Sequence, residues 1–420
     1  MKIAIDARTL GSKPSGIGMY LFDFLKELVK YKEFDIYLIT DVKKSEYIKS
    51  CSKMGLKVIS YGKPVRMQDV FSYFGFIQKQ LDIIKPDVFW EINNLIPKKL
   101  KGDFKTVVTI HDMFPITHAK DVGRIYGIYF KHFMKSTIAN ADYIIYNSRE
   151  TKKQTYRFYP EAKTKKSMVS YIILDRMKDV PETRDDGYFL YVGNMEKRKG
   201  VEILLAAYAL YKKRGGEKNL VLAGKQNDNY IRQQINRAML LTKDIEYMNY
   251  VSQKKKNELY AHCSCFIFPS KAEGFGMPVV EVMQFNKPII VGNLTIYDEI
   301  VGDCVNRFKM SDNFDVEALA NAMENYDSNV DTAAYNRVLD SYAPRYLNQA
   351  INFTGEDMGS DRGMMIVLLY MVIVIMAFVF SVIISNTISK EANVIGTLRA
   401  SGYTRSELVR HYMIVPIFVT

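Results

Sequence analysis

Cysteine is scarce, and before residue 353 no long apolar run occurs. Only Cys51, Cys263, Cys265 and Cys304 are present in 420 residues. Their irregular spacing excludes a disulfide framework and offers no metal-ligand pattern, so reduced thiols in a cytoplasmic compartment are expected and no metal site is. The N-terminus, Met1 to Asp6, lacks the apolar core of a secretory signal peptide and reads as a short strand. No DNA- or RNA-binding motif accompanies the excess of 58 Lys+Arg over 46 Asp+Glu, which sets nucleic acid aside. The resulting net charge of +12 then favours phosphate-bearing ligands or anionic lipid. What remains is a hydrophobic content of 48%, sufficient for full cores, and a length that allows two or three domains.

One stretch organises the chain: Ser270-Lys271-Ala272-Glu273-Gly274-Phe275-Gly276-Met277-Pro278-Val279-Val280-Glu281. The apolar run Cys265 to Pro269 before it predicts a buried parallel strand, and Val282 to Phe285 after it continue a helix. Such a strand-to-helix turn presents backbone N–H groups and the positive end of a helix dipole to an anion. Gly274 and Gly276 permit unusual backbone angles and close approach of a ligand, and Pro278 suits a first helical turn. Glu273 at the lip and Glu281 on the helix suit the hydroxyls of a ligand that also carries phosphate. A solvated glycine turn with two exposed glutamates is the plain alternative.

In chain order, Lys2 to Ala7 predicts a first strand, followed by the glycine-rich turn Gly11 to Tyr20 and a helix over Met19–Val29 with Leu21, Phe24, Leu25 and Leu28 on one face. Further strands are expected over Asp35–Thr40, Val58–Ser60 and Thr106–Ile110. The last of these ends at His111-Asp112, where an imidazole would point into the ligand crevice of an α/β sheet; a structural histidine or a capping Asp is the alternative. Arg124–Ser136 reads first as a core-facing helix with a solvated basic face, and second as a surface for anionic lipid. The charged segment Leu174–Gly187, with Pro181, marks a domain boundary. Strand Tyr188–Val192 then leads into Gly193 to Gly200, where Arg198 and Lys199 at a glycine turn before the helix Val201–Lys213 form an anion site. Leu220–Gly224 is another strand and turn.

These motifs resemble, in order, those of the retaining GT-B glycosyltransferases, family 4 in particular. Glu-Gly-Phe-Gly-Met-Pro-Val-Val-Glu resembles the E-x7-E signature, and Gly193 to Gly200 the G-x-x-x-x-R-K-G turn. The resemblance covers nearly all of residues 1–352. It implies a GT-B fold of two Rossmann-like α/β domains facing a cleft: an acceptor domain over 1–173, a linker over 174–187, a donor domain over 188–335 and a crossover helix over 336–352. It implies transfer of a sugar from a UDP- or GDP-sugar co-substrate, without a further cofactor, to a glycan or lipid-linked acceptor in surface polysaccharide synthesis. By resemblance His111 and Glu273 are catalytic. Gly16, Gly18, Arg198, Lys199, Gly224, Phe275, Gly276, Met277, Pro278 and Glu281 bind the donor. Asn194 stands where some members carry an arginine, and Asn249-Tyr250-Val251 where a glycine usually precedes the base-binding helix, so the base is not readable. A nucleotide-sugar epimerase of the same fold is a competing reading.

Residues 353–420 differ in composition. Met364 to Ser385 carries no charge and is long enough for a transmembrane helix. Lys390 to Leu408 resembles the coupling segment of FtsX/MacB-type ABC-transporter permeases (390–410), and a partial second apolar run fills 411–420. The expectation is a C-terminal membrane fragment fused to cytoplasmic catalytic domains, associated with the bacterial cell membrane through this segment or through the basic N-domain surface. Lys390, Arg399, Arg405 and Arg410 would put that side inside, which sits poorly with a single span. A transport or membrane-anchoring role is therefore the second functional class.

Overall fold

The computed structural model describes residues 1–343, except 12, 13, 15, 44, 66–68, 98–99, 120–122, 178, 227 and 311–315, together with 369, 382, 385, 386 and 389–410. The chain divides into two units, Met1–Pro344 and Arg345–Thr420.

Short apolar runs, each bounded by polar or glycine turns, form two parallel sheets in the first unit. Among the described residues the first sheet has strands β1 (Lys2–Asp6), β2 (Asp35–Thr40), β3 (Lys57–Ser60), β4 (Val88–Glu91), β5 (Lys105–Ile110), β6 (Tyr143–Tyr146) and β7 (Lys166–Val169), in the order 3-2-1-4-5-6-7. The second has β8 (Tyr188–Val192), β9 (Asn219–Ala223), β10 (Ile245–Met248), β11 (Cys265–Phe268), β12 (Ile289–Gly292) and β13 (Asn306–Phe308), in the order 10-9-8-11-12-13. Both orders reverse next to the first strand of their half. That reversal opens a crevice at the carboxyl ends of the strands, where such sheets bind ligands.

The helices between the strands bury one face each. They are α1 (Gly16–Leu28), α2 (Glu46–Lys53), α3 (Val70–Ile84), α4 (Phe114–Thr117), α5 (Arg124–Asn140), α6 (Arg149–Phe158), α7 (Val201–Lys213), α8 (Asn229–Leu241), α9 (Gln253–His262), α10 (Met277–Met283), α11 (Thr295–Ile300), α12 (Val316–Asn325) and α13 (Thr332–Tyr342). β11, Cys-Phe-Ile-Phe, is buried at every position, which is why it reads as an uninterrupted apolar run rather than an alternating one. Its Phe266 and Phe268 pack beside Phe189 and Tyr191 of β8; full burial of a side chain of that size stabilises by roughly 1.5–3 kcal/mol.

Three differences from the sequence reading have physical causes. α1 starts at Gly16, not Met19, so Gly18 lies within its first turn, buried against the Thr9 carbonyl where a side chain would collide. α5 runs on to Asn140 and buries Phe130, Phe133, Met134 and Ile138, so its apolar face belongs to the core. It leaves Tyr126 41% and Ile128 72% exposed. The final helix of the first unit starts at Thr332; of the crossover helix expected over 336–352, residues 344–352 lie outside the described residues. The segment Leu174–Met177 is tied to this end of the chain and to the residue that follows α10. Leu174 N donates to Tyr342 O at 2.8 Å and Met177 N to Gln284 Oε1 at 2.8 Å.

In the second unit the expected membrane helix, 364–385, lies outside the described residues save for Leu369, Val382 and Ser385, as does 411–420. Among the described residues no helix is long and apolar enough to cross a membrane. The segment expected to be a permease-like coupling region, 390–410, matches no family model; it forms helix α14 (Ala392–Ala400) and a turn at Gly402, φ +100°. Thr404 and Glu407 then cap the next helical turn reciprocally: Thr404 N donates to Glu407 Oε2 at 2.9 Å, and Glu407 N to Thr404 Oγ1 at 3.4 Å.

Candidate active site

A cavity of about 410 Å³ opens between the two halves of the first unit. Gly16, Tyr20, His111, Asp112, Phe114 and Asn147 line it from the first half. Arg198, Lys199, Gly224, Glu273, Phe275, Gly276, Met277, Pro278 and Glu281 line it from the second. All the residues singled out from the sequence thus converge here except Gly18, which is packed on Thr9 away from the cavity.

His111 follows β5 and is fixed on every side. Its N–H donates to Asn94 Oδ1 at 2.7 Å, and its carbonyl accepts from Thr151 Oγ1 at 3.2 Å. Ring Nε2 lies 2.8 Å from Ile92 O. A carbonyl only accepts, so Nε2 carries the proton and Nδ1 is left as an acceptor. Tyr20 packs edge-on at 5.2 Å. Burial pushes the ring pKa down to about 4, so the imidazole is neutral at neutral pH. Its neighbour Asp112 is partly buried, and desolvation raises its carboxyl above the usual range against the pull of Arg198. Asp112 accepts from Phe114 N at 3.2 Å, one residue before the N-cap Met113 of α4, so it holds the start of the following segment and also lines the cavity.

The turn after β8 supplies the cations. Arg198 Nε donates to Glu196 Oε2 at 2.9 Å, and its guanidinium lies 4.8 Å from the centre of the Phe114 ring across the cavity. Lys199 Nζ pairs with Glu273 Oε1. The two side chains are only 12% and 7% exposed, and burial draws the lysine pKa below its ordinary value despite the partner. Glu273 is therefore an enclosed ion-pair partner rather than an exposed acid at the lip. Glu281, on α10, accepts from Lys256 Nζ at 2.9 Å and from Tyr260 OH at 3.0 Å.

The two glycines of the central stretch serve different ends. Gly276 precedes α10 with φ +94°, a backbone region that side chains rarely adopt. Gly274 lines the cavity and also sits at a close backbone approach: a side chain on it would collide with the His111 carbonyl of the other half, and its own carbonyl accepts from Ser148 Oγ at 2.9 Å. Here the two halves touch. Close by, the Glu299 carboxylate of the second half accepts from Arg149 N at 2.6 Å and Glu150 N at 2.9 Å, the first turn of α6. α10 is only seven residues long, so fixed side-chain charge outweighs its dipole. Gly224 lines the cavity and packs on the Gly193 carbonyl.

Several residues escaped the sequence reading. Lys256 stands in the run Lys254-Lys255-Lys256, which looks uniformly solvated; only the helical phase of α9 turns Lys256 to Glu281. Tyr47 of α2 and Tyr250 after β10 meet at the cavity from opposite halves. In the first half, Asp6 and Glu91 end neighbouring strands in direct register, and Arg8 bridges them. Its Nε lies 3.0 Å from Asp6 Oδ2 and its Nη2 3.4 Å from Glu91 Oε1. Tyr73 OH donates to Asp6 Oδ1 at 2.8 Å. Asp6-x-Arg8 at a strand end was the available signal, but its third member lies 83 residues onward.

Comparison with known proteins agrees with this geometry. Residues 14–169 match the family Glycosyltransferase Family 4, and residues 175–336 match Glycosyl transferases group 1. O-antigen chain mannosyltransferase B of Escherichia coli is 37% identical over 122 residues, 28% of this chain and 31% of that protein. O-antigen chain mannosyltransferase RfbU of Salmonella typhimurium is 21% identical over 309 residues, 71% of this chain and 84% of that protein. The crystal structure of Anabaena Alr3699/HepE in complex with UDP and glucose shares the fold, with a TM-score of 0.63 at 16% identity over 85% of this chain and 100% of that one. The family matches end at residue 336 and do not extend to 353–420. With a family 4 domain followed by a group 1 domain, and two parallel sheets enclosing one cavity, the chain belongs to the GT-B glycosyltransferases.

Proposed function

We propose that this chain moves a sugar from a nucleoside diphosphate sugar, with retention at the anomeric carbon, to a glycan or lipid-linked acceptor in bacterial surface polysaccharide synthesis. The observation that carries the reading is the convergence of Arg198, Lys199, Glu273, Glu281 and His111 on one cavity between the halves. The names of the relatives, O-antigen chain mannosyltransferases, support mannose as the donor sugar.

As the glycosidic bond breaks, negative charge grows on the diphosphate. Arg198 and Lys199 are placed to stabilise it, and preorganised charge of this kind usually lowers a reaction barrier more than any other single effect. Without a donor each cation is held by a carboxylate, Glu196 or Glu273, so diphosphate takes over a position already organised for an anion. Glu273, released from Lys199, accepts hydroxyls of the sugar, and Glu281 those of the ribose. His111 accepts from a sugar hydroxyl at Nδ1.

The test is thermal shift and turnover of the full chain against UDP-, GDP- and ADP-sugars, with the product anomer read by NMR. One nucleotide series should stabilise the protein, by roughly 2.7 kcal/mol at 100 times its Kd, and the product should keep the donor's anomeric configuration. Lys199→Gln should lower turnover by about 10²–10³, the cost of losing one transition-state donor, while the protein stays folded. Failure of every donor to stabilise the folded chain would end this reading, and an inverted product would end its retaining part.

A further inference from the structure

We propose that the outer face of α6 is a second anion site, built for phosphoryl groups and separate from the cavity between the halves. A shallow cavity of about 460 Å³ is lined there by Arg149, Lys152, Lys153, Tyr156, Arg157 and Lys163. Five of the six are cations and none is an acid. No side chain of the five pairs with a carboxylate among the described residues, although the Arg149 backbone N–H donates to Glu299; Arg198, Lys199 and Lys256, which line the main cavity, each do.

The arrangement is costly for α6 itself. Arg149, Lys153 and Arg157 follow one another at four-residue spacing on one helical face, where like charges repel. Arg157 in the last turn is favoured by the helix dipole, but Arg149 in the first is opposed by it. The helix has one acid, Glu150, and its carboxylate accepts from the Gln154 amide at 2.9 Å instead of a cation. Arg149 and Lys153 also border a neighbouring cavity that holds Glu150, Asp298 and Glu299, whereas Lys152, Arg157 and Lys163 face only the hollow. The wall of the hollow is fixed: Tyr156 OH meets Ser167 Oγ at 3.3 Å, and Lys152 Nζ lies 5.7 Å from the Tyr156 ring centre and 6.0 Å from that of Tyr146. Two guanidinium forks with three ammonium groups match the oxygens of phosphate or pyrophosphate. Such a group comes from a phospholipid headgroup or from a soluble phosphate. The proposal does not rest on the transfer reaction.

The test uses the full chain and Lys153→Gln/Arg157→Gln, each also carrying Lys199→Gln to weaken anion binding in the main cavity. Inorganic pyrophosphate is titrated by thermal shift and calorimetry. In parallel, co-sedimentation is measured with phosphatidylcholine vesicles, with and without phosphatidylglycerol. We expect the α6 changes to weaken anion binding by about tenfold for each cation removed. If the loss is seen with the phosphatidylglycerol vesicles, the phosphoryl group is a headgroup; if only with pyrophosphate, it is soluble. If neither pyrophosphate nor the anionic vesicles distinguish the α6 variant from its parent, the proposal fails.

Discussion

Both halves of the first unit place charged side chains at the carboxyl ends of parallel strands, but to opposite effect. In the first half Asp6, Arg8 and Glu91 form a closed set. The two carboxylates are fully buried, a tyrosine hydroxyl helps to satisfy them, and none of the three lines the main cavity. In the second half Arg198, Lys199 and Lys256 each hold a carboxylate at the cavity wall. A closed set fixes the sheet edge and has no capacity to exchange partners. A set at a wall can release one partner for another. Charge at a strand end therefore does not by itself mark a ligand site; what matters is whether its partners can be replaced.

The contrast is sharpest at Arg8. Burial and the neighbouring Asp6 raise the Glu91 pKa well above its ordinary value, so the two acids share a proton and Arg8 balances the charge that remains; Arg8→Met should leave that charge uncompensated and cost about 3–5 kcal/mol in urea unfolding, as removal of one member of a buried ion network does. Lys199→Gln should instead lose turnover at a far smaller cost in stability. An Arg8→Met protein as stable as wild type would erase the distinction.

A smaller effect is expected from His111. Its folded pKa of about 4 lies below the ordinary 6.5. The unfolded chain thus takes a proton below pH 6.5 that the folded chain refuses until about pH 4. The stability that the neutral ring contributes is fully present above pH 6.5 and is lost as pH falls through that window, by at most about 3 kcal/mol. His111→Gln should flatten this part of the urea-midpoint profile against pH. If the mutant and wild-type slopes agree, the ring is not held neutral by burial.

The smallest effect should come from Glu299, which caps α6 from the other half. Glu299→Gln should cost about 1 kcal/mol and speed hydrogen exchange at the Arg149 and Glu150 amides. Unchanged exchange there would mean that the carboxylate does not hold the halves together.

The same contrast explains what could be read in the sequence. Turns are punctuated: Gly193, Gly200, Gly274, Gly276 and Pro278 announce where strands give way to helices, and the chemistry of the second half sits beside those marks. The first half assembles its charges by strand pairing, Asp6 beside Glu91, and no local signal announces which strands will be neighbours. The roles of Gly18 and Gly274 were legible as glycine but not as reason. Each is small because backbone passes close by, and that depends on elements far away in sequence. Lys256 was hidden by the lysines before it, since only helical phase separates the inward one from the others.

Gly274 sets a tolerance. The gap between the turn that bears Glu273 and the peptide of His111 leaves no room for a methyl group. Any side chain at position 274 would act as a shim, moving apart the acid from one half and the imidazole from the other. One backbone position thus gauges the distance between two side chains that face the cavity from opposite halves.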